Sequence, residues 1–183
     1  MPSQIVPHDN LEGVLLIHKM AHEDDRGFFS EIFKNSEICE KINRSFVQAN
    51  FSLTKDIGTI RGLHFQKPPN EQGKLITVTS GKIFDVAVDI REDSKTFGMW
   101  ASFVIDSSQK FALYLPEGFA HGFQALEENS QVVYFCTTEY NPESECGIRW
   151  NDQDIGIRWP VGSPKLSEKD SMAQTLSSWR KNR

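Results

Sequence analysis

Long apolar runs are missing from this chain of 183 residues. No stretch approaches the roughly 18–20 residues of a membrane span, and the opening MPSQIVPHDN lacks the basic-then-apolar layout of a secretory signal. Basic clusters are missing as well. The net charge is −5, whereas nucleic acid and anionic membrane surfaces call for grouped Lys and Arg. Cysteine is scarce: Cys39, Cys136 and Cys146 are odd in number, stand at no metal-like spacing, and read as reduced thiols of a cytoplasmic protein. Neither G-x-G-x-x-G nor G-x-x-x-x-G-K-[ST] occurs, which argues against a tightly held dinucleotide cofactor. No Ser-His or Cys-His nucleophile signature stands out.

What is present suits a folded domain. Thirteen Phe, four Trp and 38% apolar residues can fill a substantial core, and the length fits a single domain over 1–183. Period-two alternation dominates, the mark of strands with distinct faces. In VQANFSL (47–53) the apolar set Val47, Ala49, Phe51 and Leu53 opposes the polar row Gln48, Asn50 and Ser52. In KIFDVAVDI (82–90) Phe84, Val86, Val88 and Ile90 oppose Ile83, Asp85, Ala87 and Asp89. Further strands are expected at 26–33, 74–80, 101–106, 110–116, 121–126 and 131–138, separated by turn-forming residues such as Ser80-Gly81 and Pro116-Glu117-Gly118. Two short helices are expected, one over 35–42 with Ser36 as N-cap and one following Ser167. Many short strands without βαβ alternation predict an all-β fold, either an antiparallel barrel or a double-sheet jelly roll. The polar row on 47–53 then lines a wet interior or forms an ordinary solvent face.

The segment RGLHFQKPPNEQGK (61–74) carries Arg61, His64 and Lys74 close together. Histidine, with an ordinary pKa near ~6.5, suits general-base work at neutral pH. Fixed cations suit an oxyanion or a phosphate. This combination fits proton abstraction beside a carbonyl; a packed core histidine with surface cations is the plainer alternative. Strict alternation sets Gly62, His64 and Gln66 on one face and Arg61 on the other, so a shared site requires a bulge at Gly62. His64 and His121 lie far apart and lack a close His or carboxylate at ligand spacing, so no metal is expected.

Several segments together resemble the dTDP-4-dehydrorhamnose 3,5-epimerase family. They are DDRGFFSEIF (24–33), QANFS (48–52), RGLHFQ (61–66), QGKL (72–75), GKIFDVAVDIR (81–91), TFGMW (96–100), LPEGFAHGF (115–123), YFCTTEYNPESECGIRWND (134–152) and PKLSEKD (164–170). They run in unbroken order through nearly the whole chain. The resemblance implies a cupin-like jelly-roll barrel with a few short helices. It further implies a cofactor-free homodimer that epimerises a dTDP-4-keto-6-deoxyhexose at C3 and C5.

The same resemblance implies that His64 removes the protons and Lys74 stabilises the enolate. It makes Tyr134 the group that returns a proton on the opposite face and Asp170 the one that orients the base. Ser167 and Asp170 also match the S-x-x-[DE] form of a helix capping box, a competing explanation for that aspartate. Substrate contacts carried by the motifs are Arg26, Glu31, Gln48, Asn50, Arg61, His121 and Glu145. Asp85, in an apolar strand, needs a buried partner, and a site histidine is one candidate. Tyr140 and Trp150 could stack on the ligand or serve the core or a dimer contact. Where family members often read Gln-Asp-Asn, this chain has Gln48-Ala49-Asn50. Relatives that invert a single carbon or move the ketone share the same base. A non-catalytic sugar-binding jelly roll and a metal-dependent cupin are the readings from other classes.

Overall fold

Alternation along the chain resolves into two antiparallel sheets laid face to face. The computed structural model describes residues 3–181. Its strands are β1 (Gln4–Pro7), β2 (Leu15–His18), β3 (His22–Asp24), β4 (Gly27–Phe29), β5 (Gln48–Thr54), β6 (Ile60–Gln66), β7 (Lys74–Ser80), β8 (Lys82–Asp89), β9 (Trp100–Asp106), β10 (Phe111–Leu115), β11 (Phe119–Ala125), β12 (Ser130–Cys136) and β13 (Glu145–Gly147). The helices are α1 (Asn35–Ile42), α2 (Glu168–Ser171) and α3 (Leu176–Lys181). One sheet has the order β1-β2-β10-β7-β12-β5 and the other β13-β6-β11-β8-β9, while β3 and β4 form a separate hairpin. The sheets do not close on each other. The fold is the double-sheet jelly roll.

The side-chain period of two sends each strand's residues into two different cores. β8 shows this most clearly, being buried along both faces. Its Ile83 and Ala87 join Ile76, Val78, Leu113 and Val132 between the sheets. Its Phe84, Val86 and Val88 join Leu63, Phe65, Leu176 and Trp179 outside the five-stranded sheet, beneath the C-terminal segment. A third cluster, including Ile17, Leu75 and Tyr114, lies between the outer face of the six-stranded sheet and Ile38 of α1. The space between the sheets is therefore apolar where Ile76, Val78 and Leu113 meet. Toward the start of β7, the inward positions turn polar.

Three expectations need correction. The run 26–33 is not one strand: the chain turns at Asp24, whose Oδ1 accepts from the Arg26 amide at 2.9 Å, and only Gly27–Phe29 pairs back. Ser36 does not cap α1. Lys34 holds the N-cap position without a side-chain bond. The C-terminal helix is broken in two, because Gln174 bridges Ile148 and the Leu176 amide donates to Asp152 Oδ2 at 2.8 Å, which pulls the intervening backbone extended. β1 and β2 were not anticipated from the sequence at all.

Candidate active site

The polar end of the inter-sheet space is a cavity of about 470 Å³ lined by Arg61, His64, Lys74, His121, Tyr134 and Asp170 among others. A neighbouring hollow of about 250 Å³ shares His64, Lys74 and Tyr134 and adds Gln48, Asn50 and Glu145. Sequence alternation aims these groups inward. On β5 the polar row Gln48, Asn50 and Ser52 faces the interior, and it is the apolar row that meets solvent. The wet-interior reading is the correct one.

Arg61 and His64 reach the same cavity because the β6–β11 ladder slips by one residue. His121 pairs with His64, but Phe123 pairs with Arg61. Gly62 makes the slip possible. Its φ is +120°, and a Cβ there would lie 2.6 Å from the Gly122 Cα. Only glycine fits so close a crossing.

His64 presents Nε2 to Asp170 Oδ1 at 2.6 Å. Asp170 Oδ2 accepts from the Gly62 amide at 3.5 Å, and its own amide donates to Ser167 Oγ at 3.1 Å. Ser167 is thus a helix cap, yet the Asp170 carboxylate turns to the histidine instead of completing a capping box. Burial works against that carboxylate, but bonds from His64, Ser167 and the Gly62 amide outweigh it and hold its pKa below the usual range. A carboxylate at Nε2 leaves Nδ1 as the ring nitrogen free to take a proton.

Lys74 rises from the start of β7 and is buried, its Nζ donating to the His64 carbonyl at 3.4 Å. Burial pushes its pKa down, opposed by Cys136, Asp85 and Glu145. Tyr134 comes from β12, so it approaches the cavity from the sheet opposite His64. Two opposing effects act on its pKa. Burial dominates and raises it, and Arg61 only partly opposes the rise. Tyr134 is a phenol that keeps its proton at neutral pH.

The remaining polar groups form a rim. Arg61 donates to Thr54 Oγ1 and the Leu53 carbonyl, both at 3.0 Å. Gln48 bonds Asn50 Oδ1 at 3.0 Å and receives the Tyr140 amide at 2.8 Å. Glu145 Oε2 accepts from the Tyr140 hydroxyl at 2.6 Å and pairs with Lys169 at 2.5 Å. Tyr140 therefore stands at the mouth. Trp150 does not reach it: its carbonyl accepts from the Trp159 indole, far along the outer segment. His121 gives Nε2 to Asp85 Oδ2 at 2.8 Å, which answers what the buried aspartate pairs with.

Two of the residues named from sequence are not brought to this cavity within one chain. Arg26, on the exposed β3–β4 hairpin, pairs with Asp24 at 2.6 Å. Glu31 lines a separate small hollow with Ser3, Met20, His22 and Phe29. Sequence reasoning missed Lys169, which lines the cavity one residue before Asp170; its only signal was a basic residue in the same helical turn. Among the described residues no group of three or more His, Cys, Asp or Glu side chains is arranged to hold a metal ion.

Comparison with known proteins brings a family into view. Residues 8–178 match the family model described as dTDP-4-dehydrorhamnose 3,5-epimerase. The chain is 45% identical to the dTDP-4-dehydrorhamnose 3,5-epimerase of Salmonella typhimurium, covering 94% of this chain and 95% of that protein. It is 46% identical to the Neisseria gonorrhoeae protein of the same name over 94% of this chain, and spans about half (52%) of that protein's length. The crystal structure of a dTDP-6-deoxy-D-glucose-3,5-epimerase from Legionella pneumophila, in complex with dTDP-4-keto-L-rhamnose, superposes with a TM-score of 0.90 at 39% identity, covering 96% of this chain and 93% of that one.

Proposed function

The chain belongs to the dTDP-4-dehydrorhamnose 3,5-epimerase family, and from that premise we propose that it inverts C3 and C5 of dTDP-4-keto-6-deoxy-D-glucose to give dTDP-4-keto-L-rhamnose. One observation carries the reading: an oriented imidazole and a protonated phenol enter a single cavity from opposing sheets, and the buried lysine of β7 lines the same cavity. Epimerisation needs this arrangement, since a proton must leave one face of the sugar and return to the other.

In the proposed mechanism His64 Nδ1 takes the proton from C5 while Asp170 supports the imidazolium that forms. The electron pair moves onto the C4 oxygen, and the buried Lys74 stabilises the enolate. Tyr134 delivers its proton to the opposite face of the carbon, leaving a phenolate. Solvent protons then restore Tyr134 as His64 releases the proton it took, and the same cycle at C3 completes the inversion. Arg61 and Lys169 suit the diphosphate, Arg61 through its planar pair of donors. His121, Gln48, Asn50 and Glu145 contact the ligand's hydroxyl and base groups.

We extend the reading to a homodimer. β5 is an edge strand whose outward Phe51 (63% exposed) and Leu53 (40%), with Val47 (56%) just before it, form an apolar strip, and the hairpin adds Phe28 and Phe29. Apolar surface of this kind favours cover by a second copy. A partner docked there would let Arg26 and Glu31 of one chain reach the other chain's cavity. The family match over residues 8–178 supports taking 1–183 as one domain. Cys39, Cys136 and Cys146 are thiols not joined in disulfides, which suits the reducing cytoplasm, and no helix among the described residues is long and apolar enough to cross a membrane.

The deciding experiment incubates the protein with dTDP-4-keto-6-deoxy-D-glucose in D2O and follows C3 and C5 by NMR. Deuterium at both carbons, with an L-configured product, is the expected result. Label at one carbon alone identifies a single-centre epimerase, and no label rejects the function.

A further inference from the structure

Two carboxylate–imidazole pairs stand side by side in this cavity, and the mechanism above uses one. His121 lies directly across the β6–β11 ladder from His64. Each ring gives Nε2 to an aspartate, His64 to Asp170 at 2.6 Å and His121 to Asp85 at 2.8 Å. Asp85 is an unusual residue for its position. It points inward from β8 between Ile83 and Ala87, is fully buried, and has no hydrogen-bond partner on Oδ1. A buried carboxylate with one oxygen unpaired is costly. The fold would be better served there by an apolar side chain, so its purpose is to be sought in what it holds.

An ionised carboxylate only accepts hydrogen bonds, and therefore the nitrogen facing it must carry the hydrogen. We propose that Asp85 is a positioning residue that fixes the proton of His121 on Nε2, so that Nδ1 is offered to the cavity as an acceptor for a sugar hydroxyl. The inference rests on the function proposed above and specifies what His121 recognises. An acceptor there favours a ligand group with a hydrogen to give, such as a hydroxyl beside the ketone, over a phosphate oxygen. His64 and His121 thus share one construction and divide the work. The first takes hydrogen from carbon, and the second takes a hydrogen bond from oxygen.

Asp85→Asn tests this, because an amide offers its NH2 to Nε2 as readily as its carbonyl and no longer dictates the tautomer. In the wild-type protein, 15N NMR of the histidine side chains should show His121 with hydrogen on Nε2 and a bare Nδ1. In D85N the Nδ1–H form should appear, dTDP affinity and melting temperature should hold, and kcat/KM should fall about tenfold or more. In a His121→Gln background the same Asp85→Asn change should cost less than about twofold, since its route of action is gone. A wild-type His121 protonated on Nδ1 overturns the proposal even if D85N does not fold. So does a D85N loss that is equally large without His121, or no loss at all. Failure of the wild-type protein to turn over the sugar would reject the function instead, and leaves the tautomer measurement to judge Asp85 separately.

Discussion

The cavity wall and the β3–β4 hairpin hold their polar side chains in opposite ways. In the wall, His64, Lys74, His121 and Asp170 are sheltered, and each meets at least one fixed partner from another strand or helix. On the hairpin, Arg26 meets, among the described residues, only Asp24 two positions away, and both are exposed. The wall is complete within one chain, so its geometry is set by packing. The hairpin arginine has, among the described residues, only its turn neighbour Asp24 as a partner, and Phe28 and Phe29 beside it are exposed.

The strongest way to break this contrast is to remove the base. His64→Ala is expected to lower turnover by about 10²–10⁴-fold, measured by NMR in D2O, while the melting temperature stays close to wild type. Near-normal turnover would end the wall's claim to the chemistry. Tyr134→Phe should lose net inversion to a similar or smaller extent yet continue to exchange C5 with solvent deuterium, because abstraction and return use different groups. Product formation at the wild-type rate would remove Tyr134 as the acid.

Arg26→Ala carries a smaller effect, a rise in KM of about tenfold with kcat little changed, as suits one charge-assisted contact to a bound group. Mixing H64A and R26A subunits sharpens the comparison further. If the hairpin serves the partner's cavity, a mixed dimer contains one intact site and activity at low substrate recovers; additive residual activities alone would place Arg26 in its own chain's function or in none. The mildest test concerns a carboxylate outside both regions. Asp89 is buried, which alone would lift its pKa, but Arg91, Ser94 and Thr96 hold it at about 2 instead of 3.8. A folded pKa below the unfolded one means stability present above pH 3.8 and lost as pH falls toward 2. Asp89→Asn should therefore cost about 2 kcal/mol at neutral pH, read by urea titration, with the difference from wild type shrinking in that acid window.

Much of the wall was legible because it obeys period two. Alternation alone divides β5 and β8 into two rows each, while the packing of the sheets decides which row faces inward; Asp85 in its apolar strand announced that it needed a partner. Other features depend on contacts that no local pattern encodes. The break between α2 and α3 is imposed by Ile148 and Asp152, more than twenty residues upstream. The one-residue slip that unites Arg61 with His64 was visible only as a glycine that permitted it. The placement of Arg26 was hidden for a different reason, since its partner is Asp24, a neighbour in an exposed turn and no part of the cavity. Lys169 went unnoticed because a lysine in a short polar helix looks like any solvated surface residue.

The aspartate that steadies His64 stands 106 positions after it in the chain. On the ribosome, nearly all strands of both sheets are made before that carboxylate exists. A nascent or prematurely terminated product can thus pair its strands and still carry an undirected imidazole. Competence arrives only once residue 170 has been made and has docked against β6.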